Sequence, residues 1–326
     1  MKINWDSKVL HSIKPVINNL QNLSIDRGQL ITEAKKLSTY NYEIKYSNNS
    51  NLNPEEVIRK TMLINTLNFA FTDFESKIKY ALNEGDNTFS DTDAMVYQID
   101  QAVKNGIDLY DGYFLRDITE TTFKSIFTAN IDMPMAKEKT YVLNKVGEIL
   151  AGEYKGDWIN FIKSGPKKLY HNGEGLIERL VSQFDRFRDT SIYLEEEVHF
   201  FKLAQLAFWG IHRELAKDGE FYIEDMENMT AFADYIVPVA LETMGIVTYT
   251  DKLKNKIEKG VLIEPDSIEE IEIRAATLFV TAQLTEEINK LKAEEEKIII
   301  PQLDFKLWTD FHAEQSAHHL TKTIMY

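Results

Sequence analysis

The chain has 326 residues, 44% of them hydrophobic and 27% charged, enough to bury a full core. Against 37 basic side chains stand 52 acidic ones, a net charge of −15 (37 − 52) that would repel a phosphate backbone and disfavours direct DNA binding. There are no cysteines, which excludes disulfides, zinc–thiolate sites and cysteine nucleophiles and suits a reducing, cytoplasmic setting.

Residues 1–6 lack the apolar core of a secretory signal, and no run of about 18 apolar residues follows, so no membrane span is expected. Residues 1–54 read as less regular than the rest. Asn53-Pro54-Glu55-Glu56 then carries a helix start: an asparagine cap, a proline in the first turn and acids behind it. Asn68-Phe69-Ala70-Phe71-Thr72-Asp73-Phe74 crowds aromatics among hydrogen-bonding groups, a mixture that suits a core and equally the wall of a pocket for a planar ligand. Residues 77–82 alternate, residues 83–87 supply turn chemistry and Thr88-Phe89 resumes, which predicts a small β-hairpin near residues 77–90.

From Ala136 to Leu150, Val142, Leu143, Val146, Ile149 and Leu150 fall on one helical face, with Glu and Lys on the other. Gly152–Gly165 and Gly173–Gly175 read as loops. Leu176, Leu180, Val181 and Phe184 repeat the helical spacing, and Ile257, Val261 and Leu262 do so more loosely. Ser267 with Glu269 and Glu270 opens a long helix through Ile271–Lys292. With seven prolines and 14 glycines there is little room for linkers, so residues 1–326 read as one multi-helix domain of mostly α class.

Lys202 is the residue hardest to explain. It lies inside the almost wholly apolar run Val198–Trp209, where an ammonium at the centre of a helix would be desolvated at a cost. A partner follows in Thr230–Pro238, where Asp234 is the one carboxylate in a second apolar stretch. A buried Lys–Asp pair shifts the pKa values of both groups, as catalytic sites do; a structural ion pair, or a lysine whose head snorkels to water, is the bland reading. Arg188-Asp189 reads as a plain salt bridge, and Arg274, at the edge of an apolar stripe, as one half of an ion pair. Phosphate-loop and dinucleotide glycine signatures are absent, as is H-E-x-x-H. His318-His319 would point about 100° apart on a helix, so the pair fits substrate contact or capping better than metal ligation.

Several segments recur together in order and approximate spacing: Asn65-Thr66-Leu67-Asn68-Phe69-Ala70-Phe71, Met133-Pro134-Met135 leading to Leu143–Leu150, Phe187-Arg188-Asp189, Phe201–Gln205, Met229–Tyr235, Glu270–Arg274, Leu307-Trp308 and His319–Tyr326. From about residue 55 to the C-terminus, the chain thereby resembles the queuosine salvage family of queuosine 5′-phosphate N-glycosylases. The resemblance implies a mostly α-helical fold related to helix-hairpin-helix DNA glycosylases. It also implies hydrolysis of the N-glycosidic bond, freeing the 7-deazaguanine base queuine for tRNA modification. The family's catalytic carboxylate falls on Asp234 and its active-site lysine on Lys202. Three departures bear on base recognition: Thr72 stands where the family tends to carry tryptophan, a Gly-Tyr-Trp-like run is missing near residues 91–94, and Asp310 is displaced by one position after Leu307-Trp308.

On that reading, Asn68 with Asp189 or Asp310 would bond the base edge or its cyclopentenediol. Phe71, Phe201, Tyr235 and Trp308 would stack on or wall in the base, and Arg274, His319 and Lys322 would receive the phosphate. No cofactor and no metal are expected. Other readings stay open at this point: a hydrolase of free queuosine or a related deazapurine nucleotide, a DNA repair glycosylase, or a non-catalytic helical nucleic-acid-binding module.

Overall fold

The computed structural model describes residues 2–42, 53–216, 219–312 and 317–326. The N-terminal part is more regular than the sequence suggests: helices α1 (Lys8–Ser12), α2 (Lys14–Asn18) and α3 (Arg27–Leu37) flank strand β1 (Leu23–Ile25). Asp26 caps α3 by accepting from Gln29 N at 2.9 Å. The part is tied down by distant partners that no local pattern announces. Strand β1 pairs antiparallel with β6 (Val247–Tyr249), and the Glu272 carboxylate accepts from Gln21 N and Asn22 N at 3.0 and 2.7 Å.

Helix α4 (Pro54–Leu67) begins as expected, with Asn53 and Glu56 closing a reciprocal capping box. The predicted hairpin follows as β2 (Ala81–Glu84) and β3 (Asn87–Ser90), with Gly85 taking a positive φ in the turn. It leads directly into α5 (Asp91–Lys104), then α6 (Gly112–Asp117), α7 (Glu120–Ile126) and α8 (Ala136–Glu153). The Leu143–Leu150 motif is scaffolding here. Asn144 Nδ2 donates to the carbonyls of Leu115, Arg116 and Ile118 that end α6. A Cβ on Gly147 would overlap the Arg116 backbone, so only glycine lets α6 and α8 approach.

The stretch Gly152–Gly165, read as a loop, is corrected. Helix α8 runs on to Glu153, and α9 (Trp158–Lys163) occupies the middle, with Trp158, Ile159, Phe161 and Ile162 buried. Phe161 packs edge-on and Trp158 tilted against Phe184, just past α10 (Leu176–Gln183). Strands β4 (Thr190–Tyr193) and β5 (Glu196–His199) form a second hairpin before α11 (Lys202–Leu215). Helices α12 (Ile236–Thr243), α13 (Asp251–Glu258), α14 (Ile268–Leu291) and α15 (Ile300–Phe311) complete the order. Val261 and Leu262 lie beyond α13 and are exposed, so the looser spacing there does not mark a helix face.

Buried apolar side chains gather in three clusters. One centres on α9–α11 and the Ala231–Ala233 segment, one on α3 and α12–α15, and one on the end of α4, the β2–β3 hairpin and α5–α8. Lys202 begins α11, Asp234 stands just ahead of α12 and Asn68 just past α4. No helix among the described residues is long and apolar enough to cross a membrane.

Candidate active site

Lys202 does not sit at the middle of a helix. The apolar run that holds it is split: Val198 and His199 end β5, Phe201 turns the chain with φ 50°, and Lys202 is the first residue of α11. A left-handed backbone at a phenylalanine is sparsely populated and is held only where surroundings force it. Here they do. The Asp189 carbonyl accepts from Phe200 N and Phe201 N at 2.9 and 3.2 Å, and Asp189 Oδ2 accepts from Lys202 N at 3.1 Å.

Asp234 likewise stands just ahead of a helix. Its Oδ1 accepts from Ile236 N at 2.8 Å and Val237 N at 3.3 Å, which fixes the carboxylate at the start of α12. The Lys202 and Asp234 segments are clamped by a buried Gln205: its Oε1 accepts from Thr230 N at 2.8 Å while its Nε2 donates to Phe200 O at 3.0 Å. Asp304, inward-facing on α15, accepts from Phe232 N at 2.9 Å and braces the same segment.

Lys202 and Asp234 are both buried, and burial lowers the Lys202 pKa, with Asp234 the strongest of the opposing charges. No direct ion pair joins them. Neither Lys202 Nζ nor Asp234 Oδ2 has a protein hydrogen bond, and both atoms are reachable from solvent. Asp304 is raised well above the usual carboxylate range by burial and by Asp234, with its Phe232 bond and Lys202 opposing.

Asp189 and Arg274 are engaged elsewhere. Arg274 donates to both Asp189 oxygens at 2.9 and 2.6 Å, to Ala233 O at 3.2 Å and to Glu270 Oε1 at 3.4 Å, and it lies over the Phe200 ring. Although burial opposes it, Asp189 and Glu270 hold this guanidinium ionised, above its ordinary value. An arginine so occupied has no fork left for a phosphate, and Asp189 has none for a base edge; together they hold the starts of α11 and α12 in place.

Helix α4 packs against α11. Its C-terminal carbonyls are satisfied by two buried cations: Arg186 donates to Thr66 O at 2.6 Å and Asn65 O at 3.3 Å, and Lys139 to Leu67 O at 2.8 Å and to Phe69 O. Lys139 also lies 3.9 Å from the Phe69 ring centroid and 4.6 Å from that of Phe71. Burial, with Arg186 beside it, drives the Lys139 pKa well below normal. This anchorage sets Asn68: its Oδ1 accepts from Thr92 at 3.1 Å while its amide nitrogen carries no protein partner. Phe71 is buried against the same cluster, and Ala70 beside it takes φ 49°.

Tyr235 bridges the walls. It keeps 38% of its surface open, yet burial raises its phenol well above the ordinary value, the mark of a side chain lining a concave surface. His318 stacks on it, with ring centroids 4.5 Å apart. Phe201 is fully buried beneath the His199 ring rather than lining open space. Trp308 is 38% exposed and stacks on His312. Asp310 is tied to Lys306 one turn back on the exposed side of α15; the inward acid of that helix is Asp304.

The end of the chain folds back over the site. His319 is buried and bonded to the Tyr326 hydroxyl at 3.4 Å; burial, with His318 and Arg274 nearby, lowers its pKa to about 3, so it is a neutral imidazole and no phosphate cation. Tyr326 lies over Arg274, and Ile324 O accepts from Arg186. Lys322 is exposed, has no carboxylate partner and lies 5.8 Å from the Phe74 ring centroid. Among the described residues no three or more His, Asp or Glu gather as a metal site. Asp304, Gln205, Lys139 and Arg186 were absent from the sequence-derived site. Asp304 alone had a local signal, an acid on the apolar stripe Ile300, Leu303 and Leu307.

The model of the queuosine salvage protein family matches residues 47–326. A Sphaerobacter thermophilus protein named queuosine 5′-phosphate N-glycosylase/hydrolase is 26% identical over 98% of this chain and 97% of its own. Proteins of the same name from Nematostella vectensis and Mus musculus are 28% and 26% identical, over 92% and 84% of this chain and 91% and 85% of theirs.

Proposed function

This chain belongs to the queuosine salvage protein family, and on that premise we propose that the cleft between Lys202, Asp234 and Asn68 hydrolyses the N-glycosidic bond of queuosine 5′-phosphate and releases queuine for reuse in tRNA. One observation carries the assignment to this cleft. Lys202 Nζ and Asp234 Oδ2 are opposite charges on buried residues, held by every surrounding contact yet used by none.

Cleavage builds positive charge at the sugar C1′ and leaves the bonding pair on the departing base nitrogen. The open Asp234 oxygen stabilises the first and receives a proton from the attacking water as the new C–O bond forms. Asp234 acts here as the carboxylate. Lys202 orients the water or the ribose. A 7-deazapurine lacks the ring nitrogen that purine hydrolases protonate, so leaving-group charge must be met at other edges. The free amide of Asn68 is placed to donate to a base carbonyl, with Phe71, Tyr235 and Trp308 as apolar walls. Lys322 is the cation left for the 5′-phosphate.

The test is release of free queuine from queuosine 5′-phosphate and from queuosine, followed by chromatography and mass spectrometry with Asp234→Asn alongside. The expected result is release from the phosphate that falls roughly 10²–10⁴-fold in the variant. Release at the unmodified rate from Asp234→Asn would remove Asp234 from the chemistry, and no release from the unmodified protein would remove the activity.

A further inference from the structure

Asp91 is an acid close to Asn68 and Tyr235 that the chemistry above does not use. It is the first residue of α5, follows β3 without a connecting loop and takes φ 53°, a conformation aspartate tolerates better than most residues. Its amide donates to Tyr80 O at 2.9 Å, so the strand-to-helix corner is pinned and the side-chain direction with it. The next residue, Thr92, holds Asn68, and the Asp91 charge is felt at Tyr235 and at His312 on the facing side.

The carboxylate is half satisfied. Its Oδ2 lies 3.5 Å from Nζ of the exposed Lys79, whereas Oδ1 is shut off from solvent with no hydrogen-bond partner. The side chain still keeps 34% of its surface open, and its one partner there, the Lys79 ammonium, is itself exposed and 3.5 Å away, so a closer cation can take its place. The other acids near the site have partners: Asp189 is held by Arg274, Asp304 accepts from Phe232 N, and one oxygen of Asp234 accepts at the start of α12. Burial raises the Asp91 carboxyl, with Lys79 opposing, so a bound cation would favour its ionised form.

Resting on the reading of the cleft as a queuosine 5′-phosphate site, we propose that Asp91 is a specificity-determining residue that receives the protonated secondary amine on the aminomethyl arm of the base. That amine is the cationic group of the base at neutral pH, and a half-open carboxylate held only by a distant, exposed lysine is its complement. The neutral base edge has a different partner in Asn68, whose free amide offers a donor.

Asp91→Asn and Asp91→Gly both tolerate the left-handed backbone and remove the charge. Each is assayed for kcat and KM on queuosine 5′-phosphate, and for the Ki of 7-deazaguanosine 5′-phosphate, which lacks the arm, as a competitive inhibitor. The expected result is a KM raised by about tenfold or more, the size of one charge-assisted hydrogen bond, with kcat and Ki within about twofold of the unmodified protein. An unchanged KM, or KM and Ki rising together, would overturn the proposal, the second because Asp91 would then shape the cleft or read the edge. Calorimetry with free queuine separates this from the activity itself. Binding that weakens in Asp91→Asn, in a protein without turnover, sustains the role of Asp91 while the hydrolase reading falls; no queuine binding by the unmodified protein overturns the role of Asp91 as well.

Discussion

Two sets of buried charges lie side by side, and they are finished to different degrees. Around Arg274, the guanidinium, both Asp189 oxygens, Glu270 and the Ala233 carbonyl satisfy one another. At Lys202 and Asp234, the backbones are pinned as tightly, but the ammonium and one carboxylate oxygen are left without partners. Unpaired charges on otherwise buried side chains, open to solvent at one point, are what a binding or catalytic site offers its ligand. The saturated set is scaffold for the open one: Asp189 holds the amide of Lys202, and Arg274 holds the carbonyl next to Asp234.

The sharpest way to break that distinction is to remove one charge from each set and read activity and stability together. Asp234→Asn keeps a side-chain oxygen for the Ile236 and Val237 amides, so its thermal melt should stay near that of the unmodified protein while queuine release collapses. Arg274→Met strands Asp189 and Glu270 as buried unpaired acids and should cost roughly 3–5 kcal/mol in denaturant unfolding. If Arg274→Met melted normally and lost only turnover, or Asp234→Asn unfolded, the two sets would have to exchange roles.

How much of this was legible in the sequence follows from which interactions are local. The capping box at Asn53, the amphipathic face of α8 and the β2–β3 hairpin are set by neighbours within a few residues, and their patterns show. The chemical weight of Lys202 and Asp234 showed too, because a charge in an apolar run is conspicuous. Their actual setting did not. The break between β5 and α11 falls at Phe200 and Phe201, where the left-handed turn is made by a phenylalanine rather than by a glycine that would have marked it. Lys139 looked like an outward lysine on the polar face of α8; it is buried because the carbonyls of Leu67 and Phe69, far away in sequence, need a donor. Arg274 and His319 looked available for phosphate because their partners Asp189 and Tyr326 come from other segments.

His319 gives a pH-dependent probe of the saturated side. Its folded pKa, about 3, lies below the unfolded value of about 6.5, so at acidic pH the unfolded state binds the extra proton. Stability is then fully present above about pH 6.5 and falls as pH drops towards 3, by roughly 2 kcal/mol at pH 5 from this residue alone. His319→Gln cannot take up that proton, so the difference in unfolding free energy between the two proteins should narrow from pH 7.5 to pH 5. Parallel curves would mean that His319 is open to protons and that the tail does not seal the Arg274 side.

The smallest effect, and the finest test of the open side, belongs to Lys322. It is exposed on the returning tail, where solvent screens its charge and a phosphate contact is worth about 1 kcal/mol. Lys322→Ala should therefore raise KM for queuosine 5′-phosphate about three- to tenfold and leave the kinetics on free queuosine unchanged, with no loss of stability. The nucleoside is the control that makes so small a shift interpretable, since it shares every other contact. Equal losses on both substrates would place Lys322 at the base or in closure of the tail. No loss on either would leave the 5′-phosphate outside the reach of any cation predicted from the sequence, because Arg274 is saturated and His319 is neutral.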